Sequence, residues 1–207
     1  REIAAIYGLA LKEPEIIVEE GDMPITDVVT VATDAVVCPL YTARYITDIK
    51  VAPSPTWMQQ RLLVCGMRPI NNIVDITNYV MLEQGNPLHA FDTLRIVTNG
   101  ANGLQISARR AEKGESIITL DGEKYEFEEG IAVVADSSVP IAVAGIVGGA
   151  SSEISEKTTI ILLEAANFDS IIIRKGQRAL GTRTESSARY EKGLSLALVK
   201  KSRERAA

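Results

Sequence analysis

Two hydrophobic rhythms alternate along this chain of 207 residues. Apolar residues recur at helical spacing near both ends, and between them they come in alternating or unbroken short runs. Residues 1–9 (REIAAIYGL) read as the last turns of a helix that ends near Gly8 and, entering without a cap, continues an element begun upstream. The acidic stretch 12–27 carries Pro14, Gly21 and Pro24 and reads as a connector. Residues 28–33 and 41–51 have strand patterns, the second roughly alternating. Ser54-Pro55 marks a helix start, with Ser54 as N-cap and Pro55 at the first helical position. Met58, Leu62 and Cys65 then share a face, and Gly66 ends the helix. Asn71 or Asn72 caps a second helix with an Ile73, Ile76 and Val80 stripe, closed by Gly85.

Strands dominate the next hundred residues. Segments 104–111, 116–120 and 124–128 are separated by short loops, and Asp121-Gly122 suits a hairpin turn. Segments 131–135, 141–147 and 159–165 are almost wholly apolar, the signature of strands covered on both faces. Ser170 caps a helix reaching about Leu180 and stopped by Gly181. Residues 187–206 are helical with a break near Gly193. No internal repeat interrupts the order. It predicts an α+β fold: central sheets that are mixed or mostly antiparallel, with helices packed at the two ends, layered β/β/α.

Composition narrows the picture. A 46% hydrophobic share with 24% charged residues supports a packed core, and with only 5% aromatics that core is built mainly of aliphatic side chains. Cys38 and Cys65 belong to no paired motif and read as two buried free thiols in a reducing compartment. One histidine and no CxxC motif argue against zinc. No apolar run reaches membrane-spanning length and no signal-peptide pattern opens the chain, so the expected location is cytoplasmic. The net charge of −5 disfavours a general nucleic-acid binder. Its distribution is uneven: residues 174–207 hold ten Lys/Arg against three Glu, leaving the first 173 residues at −12. A basic C-terminal region suits either phosphate contacts or an ordinary solvated surface.

Four places could carry chemistry. His89 is the one side chain whose ordinary pKa lies near neutrality, and NPLHAFD reads as a loop after the helix that Gly85 ends. It is a candidate acid–base group or a histidine that merely ties the loop. PIAVAGIVGG leads small residues into a double glycine, which admits close approach of a ligand to free N–H groups or simply makes a tight turn. It matches neither a Rossmann nor a Walker fingerprint. Glu164 ends the apolar run TIILLE and must find a donor or shift its pKa. That donor is either an Arg of the basic C-terminal region or a group brought by a ligand. GTRTESSARYEKG has the look of a helix start with exposed ion pairs.

Taken in order, WMQQRLLVCGMRPINNIVDITNYVMLEQGNPLHAFD, LDG, AGIVGG, LLEAANF and RYEKG resemble the editing module of bacterial-type phenylalanyl-tRNA synthetase β subunits. The likeness covers about residues 40–198. It implies a division into 1–39, the tail of a preceding domain with its connector, 40–198, the editing domain, and 199–207, the start of the connection onward. The family's role is hydrolysis of tyrosine wrongly esterified to phenylalanine tRNA. By resemblance His89 is the catalytic candidate, and Glu164 the group that meets the tyrosine hydroxyl. Gly145 and Gly148 would line the tyrosine pocket, where a side chain would block entry. Thr184, Asn78 and Ser186 would stand near the substrate; Ser186 replaces an alanine common in the family. Backbone N–H groups near Gly148 and Gly149 are the oxyanion candidates. The resemblance implies no cofactor in this segment, with ATP and Mg²⁺ used elsewhere in an α2β2 holoenzyme, and as partners the tRNA acceptor end and the α subunit. The rival expectation is a non-catalytic module that docks tRNA or braces the synthetase.

Overall fold

The structure, a computed structural model, describes residues 2–98 and 103–207; Arg1, the first residue of the expected leading helix, lies outside them. Among the described residues six α-helices form: α1 (Glu2–Tyr7), α2 (Thr56–Val64), α3 (Asn72–Gln84), α4 (Ser170–Leu180), α5 (Glu185–Tyr190) and α6 (Leu196–Ala206). Strands β1 (Val29–Thr33), β2 (Leu40–Ile46) and β3 (Leu88–Asp92) precede the central group. That group is β4 (Leu104–Arg110), β5 (Ser116–Ile118), β6 (Lys124–Glu126), β7 (Ala132–Ala135), β8 (Pro140–Val143), β9 (Val147–Gly148) and β10 (Ile161–Asn167). One sheet runs β1-β4-β7-β8-β9, parallel at β1–β4 and antiparallel elsewhere. A second, fully antiparallel, runs β2-β10-β3, and β5–β6 is a separate hairpin.

The apolar run that becomes β10 is the hinge of the architecture, for all seven of its residues are buried. Because side chains alternate across a strand, β10 serves two cores. Leu162 and Ala166, with Tyr41, Ala43 and Tyr45 of β2 and Phe91 of β3, join the large cluster shared with the five-stranded sheet. Ile161 and Leu163, with Ala90, turn the other way onto Ile73 of α3 and Ala206 of α6. The result is the α+β layering of sheet, sheet and helices. Glu164 lies on the inter-sheet face, in register between Ala43 and His89. Strand β1, before residue 39, pairs into the larger sheet, and α6 runs across residues 198 and 199 against β10 and β2.

Several local expectations give way to tertiary context. The strand from 41 stops at Ile46, since Asp48 takes a left-handed φ of 58° and Ile49 donates its N–H to the Thr159 carbonyl. The segment 141–147 is a tight hairpin, not one strand: Ile146 N–H bonds the Val143 carbonyl and Gly145 supplies φ +66°. The NPLHAFD segment is likewise not a loop, because β10 recruits residues 88–92 as β3. Asp169, not Ser170, caps α4 by accepting from Ile171 and Ile172. Cys65 is exposed, so only Cys38 is a buried thiol. Among the described residues no helix is long and apolar enough to cross a membrane.

Ser54 does not cap α2 either; Pro55 occupies that place without a side-chain bond. The Ser54 hydroxyl instead donates to Asp75, a fully buried carboxylate that also accepts from Ile70 N–H at 2.8 Å. Asp75 thus joins the entry to α2, the inter-helix link and α3. Its removal leaves the buried Ser54 hydroxyl and the Ile70 N–H without their acceptor. Asp75→Ala is expected to cost about 3 kcal/mol of unfolding free energy, measured by urea denaturation. A loss below about 1 kcal/mol contradicts this bracing role.

Candidate functional site

A cavity of about 280 Å³ opens between the two sheets, closed by α3 on one side and the start of α5 on the other. Glu164 and His89 meet there because they are directly opposed in the antiparallel β10–β3 register. Asn78 reaches the same space from α3, Gly145 and Gly148 from the β8–β9 hairpin, and Thr184 and Ser186 from the start of α5. The Asn78 amide makes no hydrogen bond among the described residues and is free to meet a ligand.

Glu164 is the electrostatic centre. It is only 6% exposed, and burial pushes its carboxyl up from 4.5 to about 7, opposed in part by the nearby Tyr41 phenol. Among the described residues it has no ion pair, and Oε2 is buried without a partner. The expected alternative, an Arg from the basic C-terminal region, fails because Arg174 and Arg178 are exposed and the other four arginines are engaged elsewhere. Arg183 pairs with Glu191, Arg189 with Glu185, Arg203 with Glu204 and Arg205 with Glu83. Among the described residues no cluster of three or more His, Cys, Asp or Glu is arranged to hold a metal ion.

His89 is a half-buried ring set edge-on to Phe91, with centroids 4.5 Å apart and planes at 68°. Burial lowers its pKa from 6.5 to about 4, so the imidazole is neutral at pH 7. It is therefore a weak base, better suited to holding a water or a polar ligand atom than to drawing a proton strongly. Gly148 keeps room for it: a Cβ there would come within 2.5 Å of His89 Cε1 and 3.0 Å of Leu120.

Gly145 lines the cavity as expected. An added Cβ would meet Tyr190, which also lines the cavity, at 2.9 Å, and Ile173 and Phe168 at 3.0 and 3.1 Å. The oxyanion assignment at Gly149 does not hold. Its N–H donates to the Ile141 carbonyl at 2.9 Å, completing the hairpin, and it does not line the cavity. Thr184 and Ser186 fasten α5 to that hairpin. The Thr184 hydroxyl donates to the Ile146 carbonyl at 2.8 Å and accepts from Ser187 N–H in a capping box, while Ser186 donates to the Gly145 carbonyl at 3.0 Å. Tyr41 and Tyr190, beside Glu164, were not singled out by sequence reasoning. The alternating YTARYI pattern places Tyr41 on one face of a strand, but only the register with β10 shows which neighbour it meets.

A model of the B3/4 domain matches residues 37–207. The phenylalanine–tRNA ligase beta subunit of Synechocystis sp. is 46% identical over 198 residues, covering 94% of this chain and 24% of that protein. That of Geobacillus kaustophilus is 44% identical over 207 residues, covering 100% of this chain and 25% of that protein. The chain thus spans about a quarter of the length of the curated relatives it matches. Among solved structures, an N-terminal fragment of the phenylalanyl-tRNA synthetase beta subunit from Pyrococcus horikoshii aligns with TM-score 0.49 and 13% identity, covering 84% of this chain and 51% of that one.

The two perturbed groups leave opposite marks on stability. Between 4.5 and about 7 the folded chain retains the Glu164 proton that the unfolded chain has released, so stability from this group is present at low pH and lost as pH rises to 7. His89, lowered from 6.5 to about 4, contributes stability that is present above 6.5 and lost as pH falls through 4. In Glu164→Gln only the histidine term survives. From pH 4 to pH 8 the variant should gain about 3 kcal/mol relative to the unmutated chain, read from denaturation at each pH. A difference that stays constant with pH contradicts the uncompensated carboxyl.

Proposed function

The chain belongs to the B3/4 domain family, in the version found in bacterial phenylalanine–tRNA ligase beta subunits, and from that premise we propose that its cavity edits tyrosine misattached to phenylalanine tRNA. The observation that carries the reading is Glu164, an acid buried in an inter-sheet cavity with no cation beside it among the described residues. Tyrosine and phenylalanine differ by one hydroxyl. A pocket that merely tolerates a hydroxyl discriminates poorly, whereas one whose buried acceptor needs a proton donor rejects the ligand that lacks it. A hydrogen bond to a charged group contributes about 1.5–3 kcal/mol, or roughly ten- to a hundred-fold in favour of tyrosine.

The reaction is hydrolysis of an aminoacyl ester. Water adds to the ester carbonyl, the bond to the terminal ribose oxygen breaks, and that oxygen takes up the proton as free tyrosine leaves. His89, neutral and directly across the strand pair from Glu164, orients the water or the ester beside the side chain that Glu164 reads. With so weak a base, the neighbouring ribose hydroxyl of the tRNA assists the proton movement. Aminoacyl esters are reactive enough for this modest apparatus. Asn78, whose amide is uncommitted, supplies a further polar contact at the wall. The tRNA acceptor end, the α subunit with its ATP and Mg²⁺, and the α2β2 assembly belong to the same proposal.

Deacylation of tyrosyl- and phenylalanyl-tRNA by the complete synthetase tests it. The unmutated enzyme should clear the tyrosyl ester at least ten-fold faster. Glu164→Ala should bring the two rates together, and His89→Ala should slow tyrosyl hydrolysis by about ten- to a hundred-fold. Equal rates for both esters in the unmutated enzyme sink the assignment.

A further inference from the structure

Beside Glu164 lies a second buried polar atom with no partner, the hydroxyl of Tyr41. The register explains their closeness. Tyr41 is opposite Ala166 and Ala43 is opposite Glu164, so Tyr41 and Glu164 lie diagonally across neighbouring strands on the inter-sheet face, within reach of a long side chain. The two groups perturb one another: burial first, and then the carboxylate, raise the phenol well above its usual range, and the phenol draws the carboxyl down against the larger effect of burial. The pair is close enough for hydrogen bonding between the two side chains to affect both pKa values, yet neither Oε2 nor the phenol oxygen has a partner in strict hydrogen-bond geometry.

The other protic groups that sense this carboxylate are already engaged. The Cys38 thiol donates to the Leu40 carbonyl at 3.4 Å. The Tyr190 hydroxyl donates to the Ala166 carbonyl at 3.0 Å and lies 3.4 Å from that of Pro87. His89 across the strand is neutral and makes no hydrogen bond to Glu164. Among the described residues Tyr41 therefore carries the one uncommitted O–H facing Glu164, while Oε2 is the carboxylate oxygen shut away from solvent.

We propose that Tyr41 is a specificity-positioning residue: its hydroxyl donates to the enclosed oxygen of Glu164 and holds the carboxylate so that the other oxygen meets the phenol of the bound amino acid. The proposal rests on the editing reading, to which it adds the residue that keeps the reader ionised and aimed. A small rotation of either side chain makes the bond. Two phenols then serve one carboxylate, the resident one from behind and the substrate's from the cavity. Phenylalanine leaves the second place empty. Tyr41 touches neither the ester nor the water, so its loss should alter which ester is chosen, and at what pH, rather than the chemistry of hydrolysis.

The test is Tyr41→Phe, which keeps the ring and removes only a hydroxyl that is buried without a partner, so the fold is retained. In the complete synthetase, the ratio of tyrosyl to phenylalanyl deacylation should rise with pH through a midpoint near 7 in the unmutated enzyme. In the variant that midpoint should move up by about one unit, lowering the ratio at pH 7 about five-fold and restoring it at pH 9. A purely structural role would lower the ratio equally at every pH, and that result overturns the proposal. A second readout needs no activity: titration of the Glu164 carboxyl by carbon-13 NMR in the 207-residue chain and its Tyr41→Phe variant. An unmoved midpoint there also overturns it. If the midpoint moves but the unmutated enzyme shows no preference for tyrosine, the positioning of Glu164 stands and the editing reading falls.

Discussion

An uncompensated carboxylate in the middle of a buried strand is the constraint around which this domain is organised. Glu164 has apolar neighbours before and after it on β10, a strand on either flank and no cation within reach among the described residues. Burying a charge in this way is unfavourable, and the carboxyl answers by holding its proton to about pH 7. Two cores make the cost tolerable. Ile161 and Leu163 on one side of β10 and Leu162 on the other each contribute on the order of 1.5–3 kcal/mol by burial, more than enough to hold the strand in place while one of its members stays unsatisfied. An unsatisfied acceptor is thereby held within a strand whose residues are all buried.

The surrounding parts follow from that requirement. The β10–β3 register sets the imidazole of His89 directly opposite the acid. The β8–β9 hairpin leaves its closest approach to the imidazole to a glycine, Gly148. Gly145 makes the hairpin turn and lets it settle onto Phe168 and Tyr190, and the hydroxyls of Thr184 and Ser186 lock the next helix to the same turn. These two hydroxyls shape the wall from behind and spend their protons on backbone carbonyls. The free polar groups left at the cavity are the acid, the neutral imidazole and the Asn78 amide, a set suited to reading a hydroxyl and steadying an activated ester.

Much of this was legible in the residues. The unbroken apolar runs announced strands buried on both faces, Asn71 and Gly85 marked the ends of α3, and the odd position of Glu164 was visible as a carboxylate with no obvious donor. The failures have physical causes of two kinds. His89 read as a loop residue because Asn86-Pro87 precedes it, and only pairing with β10 makes that segment a strand. The run from 141 to 147 hid a hairpin because small and branched residues suit a strand and a crowded turn alike, although Gly145 was the available clue. Ser54 read as a cap because Ser-Pro commonly begins a helix; a buried carboxylate 21 residues onward claimed its hydroxyl. In the double glycine no local pattern tells which N–H enters the ladder, and Gly149 proved to be bonded. The His89 and Ser54 misses concern partners distant in sequence, which local periodicity cannot encode, whereas the hairpin turns on bonds between near neighbours.

The central claim, that an unpaired buried acid waits for a phenolic donor, is open to a binding measurement free of catalysis. Calorimetric titration of the 207-residue chain with non-hydrolysable amide analogues of 3′-tyrosyl- and 3′-phenylalanyl-adenosine compares two ligands that differ by one oxygen. The account predicts that the tyrosyl analogue binds at least ten-fold more tightly, about 1.4 kcal/mol, and that Glu164→Gln sharply reduces this advantage. Equal affinity of the unmutated chain for the two analogues would contradict it.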